Sequence, residues 1–143
     1  MLLRQARSLA LLDAAERKLL QGKKLALVTP RPGGDGEEEF IGAATELGAH
    51  VSLIRLGLDD DSSNHQIAVI ARVLARLYDG VECQHLSAAL VGRIAGSTAI
   101  PVFAGLATAS HPTATLIDAL SDELAPSARR RVILQAALLH CMR

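Results

Sequence analysis

The chain has 143 residues, which is enough for one well-buried core and too short for two ordinary domains, so we expect a single domain over residues 1–143. It carries 15 basic and 15 acidic residues, and its isoelectric point is near 7.0. This balanced charge does not indicate a basic surface for binding nucleic acid or an anionic membrane. Hydrophobic residues make up 50% of the chain but aromatic residues only 2%. This much aliphatic surface on a small domain favours a buried subunit interface.

No apolar run in the sequence reaches the roughly 18 residues of a membrane span, and charged residues interrupt the first 21 positions, unlike a signal peptide. Cys83 lies in a predicted strand and Cys141 near the end of the last predicted helix, so we interpret both as reduced, packed thiols. The five histidines lack metal-ligand spacing. We therefore expect a cytoplasmic protein without a metal or another cofactor.

Apolar residues recur near a 3.6-residue period from Leu2 to Leu20 and stop at Gly22, which predicts an amphipathic helix. Apolar runs of strand length then alternate with helical stretches. The predicted strands are 25–29, 51–55, 80–84 and 100–104, and the helices between them are 37–47, 66–78 and 87–95. A further helix is predicted after residue 111 and a last one over 127–142.

This regular alternation predicts an α/β fold in three layers: a doubly wound, four-stranded parallel sheet with helices on both faces. The common strand order 2-1-3-4 places the switch point between the first and third strands. Folds of this class bind ligands at the carboxyl ends of the strands near that point. The loops that meet there are 30–37, 84–85 and 105–111.

The last predicted strand leads through a loop of small residues into His-Pro-Thr at positions 111–113. This stretch resembles the aspartate/ornithine carbamoyltransferase family, where such a strand leads to a His-Pro-Thr-Gln or His-Pro-Cys-Gln motif at the carbamoyl phosphate site. Segments 22–28, 47–51 and 78–81 are also similar to the amino-terminal domain of that family, in the same order. The resemblance covers most of residues 22–120 and implies a carbamoyl-phosphate-binding domain.

In the family a second, amino-acid-binding domain follows, and the final helix of the chain returns to pack on the first domain. Here residues 127–142 are similar to that final helix and come soon after residue 120. The resemblance therefore implies that the second domain is missing. It also implies that two terminal helices, 1–20 and 127–142, pack side by side on the core formed by 22–120.

The resemblance also implies a degenerate site. Where the family has Ser-Thr-Arg-Thr-Arg after the first strand, this sequence has Gly-Gly-Asp-Gly-Glu at 33–37, so that acids replace both phosphate-binding arginines. The family's arginine after the third strand corresponds to Gln84, and its Gln after His-Pro-Thr corresponds to Ala114. We interpret the acids as caps of the following helix. A divalent metal held by this acidic turn is the alternative.

The candidate ligand-binding residues lie in the three loops at the switch point. They are Arg31, Gly33, Gly34, Gln84, His85, His111 and Thr113. His111 is the candidate catalytic residue because its imidazole can donate to a carbonyl oxygen; a helix cap or core contact is the alternative. Losing two charge-assisted hydrogen bonds of about 2 kcal/mol each weakens carbamoyl phosphate binding roughly a thousandfold. We therefore do not expect ordinary carbamoyl transfer.

Three functional hypotheses follow. The first is a stand-alone, catalytically inactive carbamoyltransferase-like domain that acts as a structural or regulatory homotrimer. The second is a small-molecule binding protein or enzyme that uses the same strand-end cleft. The third is half of a carbamoyltransferase completed by another chain, with a complete transferase or a dihydroorotase-like protein as the expected partner. None of the three involves nucleic acid or a membrane.

Overall fold

The computed structural model of the chain describes residues 2–10, 18–31, 33–105 and 126–142. Within these ranges four strands and five helices alternate along the sequence. The strands are β1 (Lys24–Val28), β2 (His50–Ile54), β3 (Gly80–Cys83) and β4 (Val102–Ala104). The helices are α1 (Leu2–Ala10), α2 (Asp35–Glu46), α3 (Asn64–Leu77), α4 (Ala88–Ala95) and α5 (Pro126–Met142).

The four strands form one parallel sheet in the order β2-β1-β3-β4. This confirms the predicted α/β fold and its strand order. β1 lies between β2 and β3, and its residues from 25 to 28 are buried, as is typical of a central strand covered on both faces. The switch point lies between β1 and β3, so the carboxyl ends of these two strands define the edge where a ligand site is expected.

Helices cover both faces of the sheet because the side chains of β1 alternate between them. Leu25 and Leu27 pack in one core with residues of α1, α2 and α5. Ala26 and Val28 point to the opposite face, where they pack with Leu74 of α3 and with residues of β3 and α4. Three layers therefore result, with α1, α2 and α5 on one side and α3 and α4 on the other.

Local signals account for the starts of α3 and β4. A capping box begins α3: the Ser63 hydroxyl accepts from the Gln66 amide N at 3.1 Å, and the Ser63 amide N donates to Gln66 Oε1 at 2.8 Å. The helix therefore starts two residues before the predicted one. β4 starts at Val102 rather than at the predicted residue 100, because Pro101 has no N–H to donate to the strand ladder.

The prediction that the first helix continues through Leu20 is wrong. Residues 19–22 form a turn, in which Gly22 adopts a φ of +87°. The buried Leu20 donates its backbone N–H to the Leu47 carbonyl at 2.8 Å, which links the turn to the end of α2. The turn thus buries Leu20 without a helix. The helix predicted after residue 111 lies outside the described residues.

α5 packs against both α1 and α2. All eight residues from Val132 to Leu139 are buried, as expected for a helix enclosed on several sides. The buried Gln135 donates from Nε2 to the Ala43 carbonyl at 3.2 Å, and Arg131 forms a 2.9 Å ion pair with Glu46. Among the described residues, no helix is long and apolar enough to cross a membrane.

Weakening the α5 contact should destabilise the whole chain. Leu138 is fully buried, so Leu138→Ala is expected to lower the free energy of unfolding by about 2–5 kcal/mol in urea titrations.

Deleting residues 127–143 should expose the α1 and α2 faces and cause aggregation or unfolding. Arg130→Ala is the control, because Arg130 makes only a 3.9 Å exposed ion pair with Glu39. A deletion variant with an unchanged melting temperature would contradict the role of α5.

Candidate functional site

The loop that joins β1 to α2 begins with a side-chain turn. The Thr29 hydroxyl accepts from the Arg31 amide N at 3.1 Å and donates to the Arg31 carbonyl at 3.2 Å. Thr29 itself is buried, whereas Arg31 is exposed at the end of the strand. Gly33 then adopts a φ of +92°, a conformation that favours glycine, and Gly34 is the N-cap residue of α2 without a side-chain cap.

A carboxylate in the first turn of α2 binds the loop that precedes the helix. The Gly33 amide donates to the carboxylate of Glu37, and the Glu37 amide N donates to the Gly34 carbonyl at 3.1 Å. A helix amino terminus offers N–H groups to anions. Here Glu37 takes the N–H of Gly33, a donor that precedes the helix, while the N-cap residue Gly34 has no side-chain cap.

Gln84 lies just after β3 and is almost completely buried, with 1% of its surface exposed. Its Nε2 atom donates to the Gly36 carbonyl at 2.9 Å and to Glu82 Oε2 at 3.2 Å. Its backbone N–H donates to the Val28 carbonyl at 2.9 Å. Because an amide group has two hydrogens, Gln84 uses both within the chain. Its hydrogen bonds thus connect β1, β3 and the first turn of α2.

Glu82 is a buried polar residue that the sequence analysis did not single out. It is 0% exposed and lies in β3, in register with Leu27 of β1 and Phe103 of β4. The signal was present, since a charged residue inside an apolar strand is rarely fully buried unless it has partners. Its carboxylate accepts from Gln84, so the two side chains form one polar unit beneath α2.

The neighbouring Cys83 points to the other face of the sheet. Burial, together with the nearby negative charge of Glu82, raises the pKa of the Cys83 thiol to about 12. A thiolate is the nucleophilic form of cysteine, and this thiol stays protonated at neutral pH. Cys83 is therefore a packing residue rather than a nucleophile, as the sequence predicts.

His85 follows directly and adopts a φ of +60°, a left-handed conformation that is uncommon for residues other than glycine. A Cβ atom built on Gly34 would lie 3.5 Å from His85 Nε2. The exposed imidazole thus lies against the N-cap of α2. The left-handed backbone of His85 thus places its imidazole beside the start of α2.

A cavity of about 340 Å³ opens at the carboxyl ends of β3 and β4, beside α4. Its lining includes Cys83, His85, Val91 and Gly105. Most of these groups are small or apolar, and His85 contributes an imidazole to the lining. The cavity therefore suits a small, largely apolar ligand better than a phosphate.

Five of the seven candidate residues lie at one edge of the sheet: Arg31, Gly33, Gly34, Gln84 and His85. Arg31 is exposed there. His111 and Thr113 lie outside the described residues. Within the described ranges, no group of three or more His, Cys, Asp or Glu side chains is arranged to hold a metal ion.

The fold and this edge can now be compared with known proteins. The family model described as "Aspartate/ornithine carbamoyltransferase, carbamoyl-P binding domain" matches residues 1–122. The chain belongs to this family. The ornithine carbamoyltransferase of Cutibacterium acnes is 37% identical over 108 residues, which are 74% of this chain and 32% of that protein. The ornithine carbamoyltransferase of Actinobacillus pleuropneumoniae (strain L20) is 33% identical over 106 residues, with the same coverage of 74% and 32%.

Solved structures of the same family share the fold. The ornithine carbamoyltransferase from Pyrococcus furiosus superposes with a TM-score of 0.67 at 26% identity, over 84% of this chain and 39% of that chain. The catalytic subunit of M. jannaschii aspartate transcarbamoylase superposes with a TM-score of 0.61 at 29% identity, over 82% and 40%. The chain thus spans about a third of the length of its curated relatives.

The two cysteines should differ sharply in reactivity. Cys141 is exposed, whereas Cys83 is buried and its pKa is raised to about 12. A thiol reagent at pH 8 should therefore modify one thiol per native chain rapidly and both thiols only after unfolding in denaturant. Cys141→Ser should abolish the rapid phase. Rapid modification of native Cys141→Ser protein would contradict the burial of Cys83.

Proposed function

We propose that this carbamoyltransferase-family domain does not catalyse carbamoyl transfer and serves as a structural or regulatory component of an oligomer. The observation that carries this proposal is the state of the hydrogen-bond donors at the strand-end edge. The Gly33 N–H is bound by Glu37, and the Gln84 amide is bound by Gly36 and Glu82. A phosphate arriving here would have to displace the chain's own acceptors.

The charge at this edge of the sheet also supports the proposal that the site does not bind phosphate. Glu37, Glu38 and Glu39 lie in the first turns of α2, and the loop after β2 adds the exposed Asp59 and Asp61. Two like charges 4 Å apart repel by about 1 kcal/mol in water and by about 4 kcal/mol near a protein surface. Against these acids, Arg31 is the only cation of the first loop, so a dianionic ligand is repelled rather than held.

Calorimetric titration with carbamoyl phosphate should therefore give no saturable heat at millimolar ligand. Combining Asp35→Arg, Glu37→Arg and Gln84→Arg should recover measurable phosphate affinity, because it restores the three lost charges and frees the Gly33 N–H. Glu38→Arg is the matched control, since it changes the net charge as Glu37→Arg does but leaves the Gly33 contact in place. A micromolar dissociation constant for the unaltered protein would overturn the proposal.

The oligomeric part of the proposal is supported by apolar surface left in solvent. Leu53 of β2 and three residues of α3 are large, hydrophobic and exposed. The loop between β2 and α3 is held in place by its own chain, because Arg93 donates to the carbonyls of Asp60 and Ser62 at 3.3 and 2.8 Å. A loop already fixed in this way loses little entropy when a neighbouring chain binds it.

We expect a threefold assembly in which the loop from Gly57 to His65 approaches the region of Gln84 and His111 in the adjacent chain. Multi-angle light scattering at micromolar concentration should give the mass of three chains or of a multiple of three. The mass of a single chain would contradict any assembly role. The mass of two chains would contradict the threefold contact.

A second candidate function is the binding of a small, largely apolar molecule in the cavity beside α4. The cavity of about 340 Å³ and the strained His85 at its rim favour this hypothesis. A ligand that enters the cavity should perturb the imidazole signals of His85 in NMR titrations. Its binding should be lost in Val91→Trp protein, in which a larger side chain fills the space.

A further inference from the structure

α5 contacts α2 through polar groups that the proposed function does not use. Gln135 is 0% exposed, and its Nε2 atom donates to the Ala43 carbonyl at 3.2 Å. Four residues earlier on α5, Arg131 pairs with Glu46 through Nη1 at 2.9 Å. Residues four apart lie on one side of a helix, so both polar side chains face α2. We call Arg131, Gln135, Gly42 and Ala43 the α2–α5 seam.

Among the described residues, two buried atoms of the α2–α5 seam have no hydrogen-bond partner. They are Gln135 Oε1 and Arg131 Nε, of which the first accepts and the second donates. A buried polar atom without a partner is costly, and such atoms are few in native proteins. This pair of atoms therefore indicates a bound molecule that supplies the missing partner of each.

The orientation of the Gln135 amide is fixed by the Ala43 carbonyl. Exchanging Oε1 with Nε2 would place two acceptors against each other, since an amide oxygen cannot donate. The atom of Gln135 that needs a partner is therefore its oxygen, which requires a donor. Arg131 Nε carries one hydrogen and requires an acceptor. The bound molecule must accept one hydrogen bond and donate another.

Contacts with α2 place the two atoms close together. A Cβ atom built on Gly42 would lie 2.6 Å from Arg131 Nη2 and 3.0 Å from Cζ, so the guanidinium lies against the bare backbone of this glycine. The Gln135 amide contacts the carbonyl of the next residue, Ala43. Both side chains thus meet α2 at consecutive positions. One small molecule between them can reach both atoms.

We propose that the α2–α5 seam binds one ordered water molecule, which accepts from Arg131 Nε and donates to Gln135 Oε1. Water is the smallest molecule that does both. An ammonium ion has no acceptor for the Arg131 hydrogen, and an ionised carboxylate has no hydrogen for Gln135. Buried waters of this kind satisfy polar groups that the chain leaves unpaired, and they are part of the fold.

This water extends the support of α2 along the helix. In its first turn, the Gln84 amide donates to the Gly36 carbonyl at 2.9 Å. Gly36 and Ala43 are about two helical turns apart, so they lie on the same side of α2. Two buried glutamine amides therefore hold this side, one from the end of β3 and one, with its water, from α5. The inference is independent of the proposed function, because neither an oligomer nor an anion enters it.

Oxygen-17 magnetic relaxation dispersion of the solvent tests the site, because it reports waters that stay in the folded protein longer than its tumbling time. Gln135→Met removes the amide but keeps a side chain of similar length, so the dispersion amplitude should fall by about one water per chain. Arg131→Lys keeps the positive charge beside Glu46 but removes the Nε hydrogen, and it should cause the same loss. Arg130→Ala is the matched control, because Arg130 makes only a 3.9 Å ion pair with Glu39; its amplitude should not change.

Thermal melting followed by circular dichroism shows which variants are folded during the measurement. An unchanged amplitude in folded Gln135→Met or Arg131→Lys protein would overturn the proposal. A high-resolution crystal structure of the unaltered protein decides the question even where both variants unfold. It should show a water within hydrogen-bond distance of Arg131 Nε and Gln135 Oε1. A direct hydrogen bond between these two atoms, or a map without solvent density beside them, would overturn the proposal.

Discussion

The buried polar unit formed by Glu82 and Gln84 ties the candidate site to the sheet. A carboxylate that is 0% exposed must be offset by close hydrogen bonds, because removing an ion from water is costly. Gln84 donates to it and, through the same nitrogen, to the Gly36 carbonyl in the first turn of α2. The position of α2 over the carboxyl end of β1 and β3 therefore depends on an interaction inside the core.

The same unit explains why internal order and anion binding compete at this edge. A guanidinium at the Gln84 position would carry a positive charge next to Glu82 and still have donors left for a ligand. A glutamine amide has only two hydrogens, and both are used by oxygens of the chain. The Gly33 N–H is likewise bound by Glu37. In the proposed degenerate site, the donors at this edge therefore hold the loop instead of facing a ligand.

The parts of the fold that could be predicted depend on local or repeated patterns. Short windows of sequence predict the apolar run of β1 and the alternation of strands with helices. The strand order follows from that alternation. The Ser63 capping box also lies within four residues, although its effect on the start of α3 was missed by two positions.

Other features depend on groups far apart in the chain. Leu20 leaves the helical pattern because its N–H meets the Leu47 carbonyl, 27 positions away. Gln84 stays a predicted ligand contact, from its place after a strand and from the family resemblance. Its hydrogen bond to Gly36 joins two elements that lie 48 positions apart in the chain. Glu82 was overlooked because the strand pattern around it is apolar, and its full burial depends on the pairing of β3 with both β1 and β4. Such long-range pairings carry no short-range signal.

The helical layer formed by α3 leaves apolar side chains in contact with solvent. A chain of this size buries a smaller share of its surface than a larger domain does, and an apolar helix face exposed to water weakens solubility unless something covers it. α3 keeps Val69, Val73 and Leu77 on such a face although its packing against the sheet needs only Ile67, Ala71 and Leu74. The proposed function accounts for these outer residues as a surface for contact between chains, beside a loop that Arg93 fixes to its own chain.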